Sequence, residues 1–325
     1  MTVKSRLLEL LEQHKGETLS GEALAGELHC TRAAVWKAVK SLREEGYAIE
    51  AGPNKGYMLP RDSNRLSVEA IRLYLKRPDV YLKLYKETGS TNQMAKQAAI
   101  SGEAGHGAFV IAQQQTAGRG RRGRSFYSPE DAGLYLSVVL EPKGETLQES
   151  LLLTTAAATA VYKAVKKVCR ISLDIKWVND LYFHGQKVCG ILTEAVTDFE
   201  SGNIEFAVVG IGLNLYPVSG GYPEALQGIA GALYPDQASA SGTDRNYLTA
   251  EIVNCLLEET SHLRLSPEYV EHNIIPGKEI EIMDGSRNCH ARALDICPDG
   301  RLRVEEEDGT ISVLSFGEVS VSVKQ

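Results

Sequence analysis

No apolar run in this sequence is long enough to cross a bilayer: the longest, around Leu151 to Tyr162, is interrupted by threonines and closed by Lys163. Cysteine is sparse and scattered. The six (Cys30, Cys169, Cys189, Cys255, Cys289, Cys297) form no C-x-x-C pair, which excludes the tight spacings of zinc ribbons and disulfide scaffolds and predicts free thiols. The seven histidines make no H-x-x-x-H or other ligand cluster. Basic residues are in deficit, 35 Lys+Arg against 42 Asp+Glu, so a general cationic coat for nucleic acid is excluded although a local basic module is not. The opening residues Met1 to Arg6 lead into an amphipathic pattern rather than a signal-peptide core. These absences predict a soluble, cytoplasmic protein with no membrane partner. What remains is ordinary globular composition, 43% hydrophobic and 24% charged, over a length that suits two or three domains.

The charge is unevenly placed. Residues 1–65 carry 10 Lys+Arg and 9 Asp+Glu and are nearly neutral, so the acidity resides in the rest of the chain. This first stretch reads as three helices and a hairpin. Leu7, Leu8, Leu10 and Leu11 form a helical stripe; Ser20 opens a second helix; Thr31 caps a third, in which Val35, Val39 and Leu42 face inward while Arg32, Lys37, Lys40 and Arg43 make the polar face. Two apolar segments then flank Gly52-Pro53-Asn54-Lys55-Gly56 as a wing. Two short helices at a tight turn, with cations on the second, suit a DNA major groove, and the stretch resembles winged helix-turn-helix domains; Thr31, Arg32, Trp36, Lys37 and Lys40 are its predicted DNA contacts. A polar linker, Pro60 to Arg65, follows.

Residues 66–270 mix helices and strands. Strands are expected at Val80–Lys86, Phe109–Gln113, Leu134–Leu140, Ile175–Val178, Lys187–Val196 and Ile204–Leu213, and helices at Asn92–Ile100, Ser150–Val168 and Thr249–Leu263. Asp198 to Gly202 is a hairpin signal, so part of the sheet is antiparallel. From Gly277 onward, five short strands punctuated by Asp284-Gly285, Pro298-Asp299-Gly300 and Asp308-Gly309 predict a small β-barrel or sandwich. The fold class is therefore α+β in three domains, 1–65, 66–270 and 271–325.

The chemistry concentrates in four segments and one helix-entry triplet. Gly118-Arg119-Gly120-Arg121-Arg122-Gly123-Arg124 formally matches G-x-G-x-x-G, but no helix opens at the third glycine and no Gly-Lys-[Ser/Thr] follows, so neither a Rossmann nor a P-loop reading holds. It is instead four guanidinium groups on a glycine-flexible loop in an acidic chain, which calls for a polyanionic partner, either nucleotide phosphates or nucleic acid. Lys176-Trp177-Val178-Asn179-Asp180 sets an amide and a carboxylate at the expected end of an apolar strand. Lys187-Val188-Cys189-Gly190-Ile191-Leu192 opens a strand on a lysine, with a glycine that admits close approach. Gly210-Ile211-Gly212-Leu213-Asn214 ends a strand in two glycines and an amide, and Ser90-Thr91-Asn92 enters a helix with hydroxyls and an amide.

In their order and spacing these segments resemble the biotin protein ligases, in the bifunctional bacterial form that also represses biotin synthesis genes; the resemblance spans the whole chain. Val178 departs from the proline, and Phe126 from the tryptophan, frequent at those places in the family. The resemblance implies a central domain of the class II aminoacyl-tRNA synthetase-like, biotin–lipoate ligase type and a C-terminal SH3-like barrel. It implies that biotin and ATP form biotinoyl-AMP, from which biotin passes to a lysine of a carboxylase carrier domain. By the same resemblance Lys187 and Arg121 are catalytic. Ser90, Thr91, Asn92, Gln115, Arg119, Gly120 and Gly190, with Arg121 and Lys187, hold biotin. Arg121, Arg122, Phe126, Asn179, Asp180 and Asn214 hold the nucleotide, with Mg²⁺ at Asp180 and no tightly bound prosthetic group. A homodimer formed on the adenylate is expected to bind operator DNA. A lipoate ligase relative, or a sensor-repressor without ligase activity, are the competing readings.

Overall fold

Hydroxyl side chains open the first helices of the computed structural model, which describes residues 2–52, 56–142, 150–197, 204–240, 242–284, 287–315 and 318–321. Thr2, Ser20, Thr31 and Ser67 each accept a hydrogen bond from the backbone N–H three residues on, at 3.0–3.2 Å. These caps, worth about 1 kcal/mol each, start α1 (Val3–Gln13), α2 (Gly21–Glu27), α3 (Arg32–Glu44) and α4 (Val68–Tyr74). Leu7, Leu8 and Leu11 of α1 pack with Leu24, Val35, Val39 and Leu42 into one core. The wing is β1 (Glu50–Gly52) paired antiparallel with β2 (Gly56–Met58); its turn, Pro53 to Lys55, lies outside the described residues.

These elements form one compact unit, Met1–Asp79, together with a distant segment, Ala240–Glu251. Polar pairs bind that segment in. Asn64 donates to the Thr243 carbonyl (2.8 Å) and accepts from the Arg245 N–H (2.6 Å), while Asn246 accepts from the Ser67 N–H (3.0 Å) and donates to the Arg65 carbonyl (3.0 Å). Lys15 pairs with buried Glu12 (2.7 Å) and with Asp244 (3.2 Å).

The second unit, Val80–Ser239 with Ile252–Gln325, holds two sheets. The larger contains β3 (Leu82–Thr88), β4 (Phe109–Gln115), β5 (Gly133–Leu140), β6 (Asp174–Lys176), β7 (Asp180–Phe183), β8 (Gln186–Thr197) and β9 (Ile204–Asn214) in the order β3-β4-β5-β9-β8-β7-β6. Only β3 and β4 are parallel, joined through α5 (Thr91–Ile100); every other pairing is antiparallel. The predicted turn at Asp198 to Gly202, between β8 and β9, lies outside the described residues. Fully buried β5 and the Ala-rich α6 (Ser150–Cys169) account for the long apolar segments of the sequence. The helix α7 (Arg245–Ser261) starts within the first unit's segment, and the short α8 (Pro267–Glu271) follows.

One strand differs from expectation. Ile175–Val178 does not run on as a strand: β6 stops at Lys176, and the chain turns through Trp177 to Asn179 into β7, a strand the sequence pattern does not reveal. Two buried hydrogen bonds impose the turn, from the Trp177 indole to the Gly300 carbonyl and from the Tyr269 hydroxyl to the Val178 carbonyl, both 2.9 Å. The remaining strands, β10 (Glu279–Asp284), β11 (Arg287–Ile296), β12 (Leu302–Glu306), β13 (Ile311–Leu314) and β14 (Glu318–Val321), make an antiparallel sheet in the order β13-β12-β11-β10-β14; Gly285 of the predicted turn lies outside the described residues. Among the described residues no helix is long and apolar enough to cross a membrane.

Candidate active site

Alternation along antiparallel strands puts residues two apart on one face, and three neighbouring strands use this to build the floor of a cleft. Ser137, Gly210 and Leu192 stand in register across β5, β9 and β8, and Tyr135, Gly212 and Gly190 form the next row. The glycines leave room for side chains from above. A Cβ on Gly210 would lie 2.1 Å from Oδ1 of Asn92, and one on Gly212 would lie 2.4 Å from Cε1 of Phe126. Gly190 completes the seat, since a Cβ there would stand 3.1 Å from Phe126 and 3.2 Å from the Lys187 side chain. The close approach that the sequence suggests at Gly190 is thus made by the protein's own ring and lysine. Tyr135 meets Phe126 edge-on, with ring centroids 6.4 Å apart and planes at 68°.

Over this floor opens a cleft of about 650 Å³, lined by all fourteen residues that the sequence nominates for biotin and nucleotide: Ser90, Thr91, Asn92, Gln115, Arg119, Gly120, Arg121, Arg122, Phe126, Asn179, Asp180, Lys187, Gly190 and Asn214. The five nominated DNA contacts are not among them. Thr31, Arg32, Trp36, Lys37 and Lys40 all lie exposed on or at the start of α3, with Lys40 over the Trp36 ring at 5.9 Å, in the first unit.

One end of the cleft is polar. Ser90 opens α5, yet its hydroxyl makes no capping bond. Thr91 donates from N (2.8 Å) and Oγ1 (3.1 Å) to Oε1 of Gln115, and Gln115 donates to Ser128 (2.9 Å). Ser137 Oγ lies 2.7 Å from Thr91 Oγ1 and 2.6 Å from Asn92 Oδ1, and Asn92 Nδ2 donates to Glu194 (2.7 Å) and to the Leu192 carbonyl (3.3 Å).

The middle is charged. The arginine loop leaves β4 and folds on itself: the Gly120 N–H donates to the Arg124 carbonyl (2.7 Å) and the Phe126 N–H to the Gly118 carbonyl (2.9 Å). Arg121 reaches across to donate to Asn179 Oδ1 (2.8 Å), and Asn179 Nδ2 donates to the Ile191 carbonyl (3.0 Å). Arg122, in the left-handed region at φ 54°, donates to the Met283 carbonyl of β10 (2.9 Å). Lys187 and Asp180 form an ion pair at 2.6 Å. Cys189, fully buried beside them, has its thiol pKa pushed far up by burial and is no nucleophile. Asn214 donates one amide N–H to the Gly231 carbonyl (3.0 Å), which also accepts from the Tyr222 hydroxyl (3.0 Å), so it ties down the loop that borders the cleft.

Sequence reasoning misses Ser137, Glu194, Tyr269 and the cleft-lining Tyr222. None belongs to a local motif, and the one available signal is the Gly210-x-Gly212 alternation, which announces a strand face covered by side chains. Glu194 and Asp180 each meet a cleft side chain, Asn92 and Lys187, and no cluster of three or more His, Cys, Asp or Glu that could hold a metal ion occurs among the described residues.

Residues 84–214 match the Biotin/lipoate A/B protein ligase family, residues 3–58 an HTH domain family and residues 276–322 the Biotin protein ligase C terminal domain family. The chain is 34% identical to the Bifunctional ligase/repressor BirA of Bacillus spizizenii over 97% of both chains. It is 31% identical to that of Escherichia coli over 98% of this chain and 97% of the relative. Among solved structures, the biotin protein ligase from Aquifex aeolicus in complex with biotin and ATP superposes with a TM-score of 0.61 at 26% identity, covering 75% of this chain and 99% of that one.

Proposed function

We propose, on the premise that the chain belongs to the family of bifunctional ligase/repressors called BirA, that it activates biotin with ATP, transfers it to carrier lysines, and represses transcription with the activated intermediate as corepressor. The observation that carries the ligase reading is the convergence of the arginine loop, the Lys187–Asp180 pair and the polar α5 entrance on one cleft. In the first step a biotin carboxylate oxygen attacks the α-phosphorus of ATP, the bond to the bridging oxygen breaks, and pyrophosphate leaves. In the second, a carrier-lysine amine attacks the acyl carbon, an amide forms with loss of a proton, and AMP leaves.

Bringing two anions together is mainly an electrostatic and positional problem. Arg121, steered by Asn179, and Lys187, steered by Asp180, stand where a carboxylate and an α-phosphate meet, and they stabilise the charge developing between them. Ser90, Thr91, Asn92 and Gln115 form the end that takes the ureido ring; Arg119, Gly120 and Gly190 border its tail. Phe126, seated on Gly212 and Gly190, offers its face to adenine, with Arg122, Asn179 and Asn214 toward the phosphates. A single carboxylate, Asp180, would hold Mg²⁺ carried in with the nucleotide, and the hard cation would supply charge neutralisation to the phosphates. Folding of the loop over the adenylate excludes water from the reactive anhydride.

The three functional segments are taken as 1–65, 66–270 and 271–325, and the C-terminal sheet as an SH3-like barrel; each segment contains one family match. The adenylate favours a homodimer in the cytoplasm, and the dimer places two copies of α3 on operator half-sites through Thr31, Arg32, Trp36, Lys37 and Lys40. Biotin-dependent ATP–pyrophosphate exchange, with lipoate as control, tests the ligase. Exchange with biotin alone is expected, and its absence refutes the ligase reading. Operator binding that ignores biotin and protein concentration refutes the coupling to dimerisation.

A further inference from the structure

Asn92 is the one amide at the polar end of the cleft that arrives from α5, and its hydrogen-bonding capacity is almost fully committed within the protein. An amide NH₂ has two donors and an amide oxygen two acceptor positions. Both donors of Asn92 have partners, the Glu194 carboxylate at 2.7 Å and the Leu192 carbonyl at 3.3 Å. Its oxygen receives the Ser137 hydroxyl at 2.6 Å and retains one acceptor position. Neither a carboxylate nor a carbonyl can donate, so the NH₂ must point to β8 and the oxygen to β5 and Gly210. Gly210 leaves the room that this end of the amide occupies, since a Cβ there would stand 2.1 Å from the oxygen. Glu194 lies two residues beyond Leu192 on the same face of β8, behind Asn92 and outside the cleft lining.

We propose that Glu194 is a positioning residue that fixes Asn92 as a pure hydrogen-bond acceptor toward the cleft, and thereby selects a ligand ring that brings an N–H. This rests on the assignment of the polar end to the ureido ring. A ureido ring supplies such an N–H; a dithiolane ring supplies none. Side-chain shape does not distinguish the two ends of an asparagine amide, so a neighbour that only accepts has to do so. The ionised carboxylate does it more strongly than the Leu192 carbonyl alone, since charge-assisted hydrogen bonds are about twice as strong as neutral ones.

The test compares wild type with Glu194→Gln, Glu194→Met and Ser137→Ala in biotin-dependent ATP–pyrophosphate exchange. The ligands are biotin and the two biotin derivatives methylated on one ureido nitrogen each. The KM for biotin is expected to rise in the order wild type, Gln, Met, by about tenfold for Met, while the KM for ATP moves by less than about threefold. Wild type is expected to discriminate against one methylated isomer by about tenfold, Glu194→Met by less than about threefold, and Ser137→Ala to keep the wild-type ratio because Glu194 still orients the amide. If the Met variant fails to melt cooperatively, Glu194→Gln carries the test and must lower that ratio at least about twofold. An unchanged ratio in the Glu194 variants, or a ratio lost in Ser137→Ala but kept in them, overturns the proposal. Wild type that shows no exchange with biotin overturns the ureido assignment beneath it, a distinguishable result.

Discussion

Replacing Gly212 by alanine should weaken nucleotide binding and leave biotin binding intact. The new Cβ would stand 2.4 Å from Cε1, 2.5 Å from Cζ and 3.0 Å from Cδ1 of Phe126. Unstrained carbon–carbon contacts lie at about 3.5–4.0 Å, so the ring has to lift by about 1 Å or swing away. Overpacking of this kind costs about 1–3 kcal/mol if the ring stays, and a displaced ring forfeits a stacking contact worth about 0.5–1.5 kcal/mol. Either route raises the ATP KM in pyrophosphate exchange, by about thirtyfold for the first and about fivefold for the second at the middle of these ranges. Biotin affinity, measured by calorimetry without nucleotide, should shift by less than about twofold, because Asn92 rests on Gly210 and not on Gly212. Gly210→Ala is the mirror case: its Cβ would stand 2.1 Å from Asn92 Oδ1, so biotin affinity falls and the ATP KM follows only weakly. A double variant, Phe126→Ala with Gly212→Ala, should be no worse for ATP than Phe126→Ala alone, since the alanine acts through the ring. An unchanged ATP KM in Gly212→Ala, or equal losses of both ligands, refutes the division of the floor into two seats.

Three further outcomes are expected. Arg121→Gly removes the side chain that bridges the loop to Asn179 (2.8 Å), so free biotinoyl-AMP should appear in solution; wild-type adenylate affinity with none released counts against the loop as a water-excluding cover. Trp36→Ala should weaken operator binding by about tenfold with an unchanged melting temperature, because the indole is 55% exposed on α3; an unaltered gel-shift midpoint places the DNA surface elsewhere. Glu268 has its carboxyl drawn down to about 2, first by the Ser266 hydroxyl at 2.7 Å and also by Lys163. A depressed folded-state pKa contributes stability that is present above the ordinary value of 4.5 and is lost as pH falls toward about 2. Glu268→Gln should therefore flatten this part of the acid limb in denaturation curves between these pH values, and identical limbs in both proteins refute the contribution.

Local chemistry is well written in this chain. The hydroxyls at Ser20 and Thr31 announce their helices, and the functional segments converge because each sits at a strand or helix end, where the sheet order gathers such ends. What depends on partners far along the chain is not legible. Trp177 to Asn179 reads as the continuation of a strand, and it turns because Gly300 and Tyr269 hold it. Glu194 alternates like any exposed strand acid, and only strand register sets it behind Asn92. Asn214 has the composition of a ligand-facing amide, yet one of its donors is taken by the Gly231 carbonyl. Net charge misleads about DNA because it averages a nearly neutral module with an acidic body.

The segment Ala240–Glu251 has a consequence in time. A nascent chain emerges from its N-terminus, and domains generally fold in that order as they emerge. Here the helices that carry Trp36 and Lys40 are made first, but Asn64, Ser67 and Lys15 find Thr243, Asn246 and Asp244 only after every strand of the seven-stranded sheet has been synthesised. The regulatory unit, first to be started, is therefore completed only after Glu251 has been added, and a chain interrupted anywhere before residue 240 leaves the ribosome without a finished DNA-binding unit.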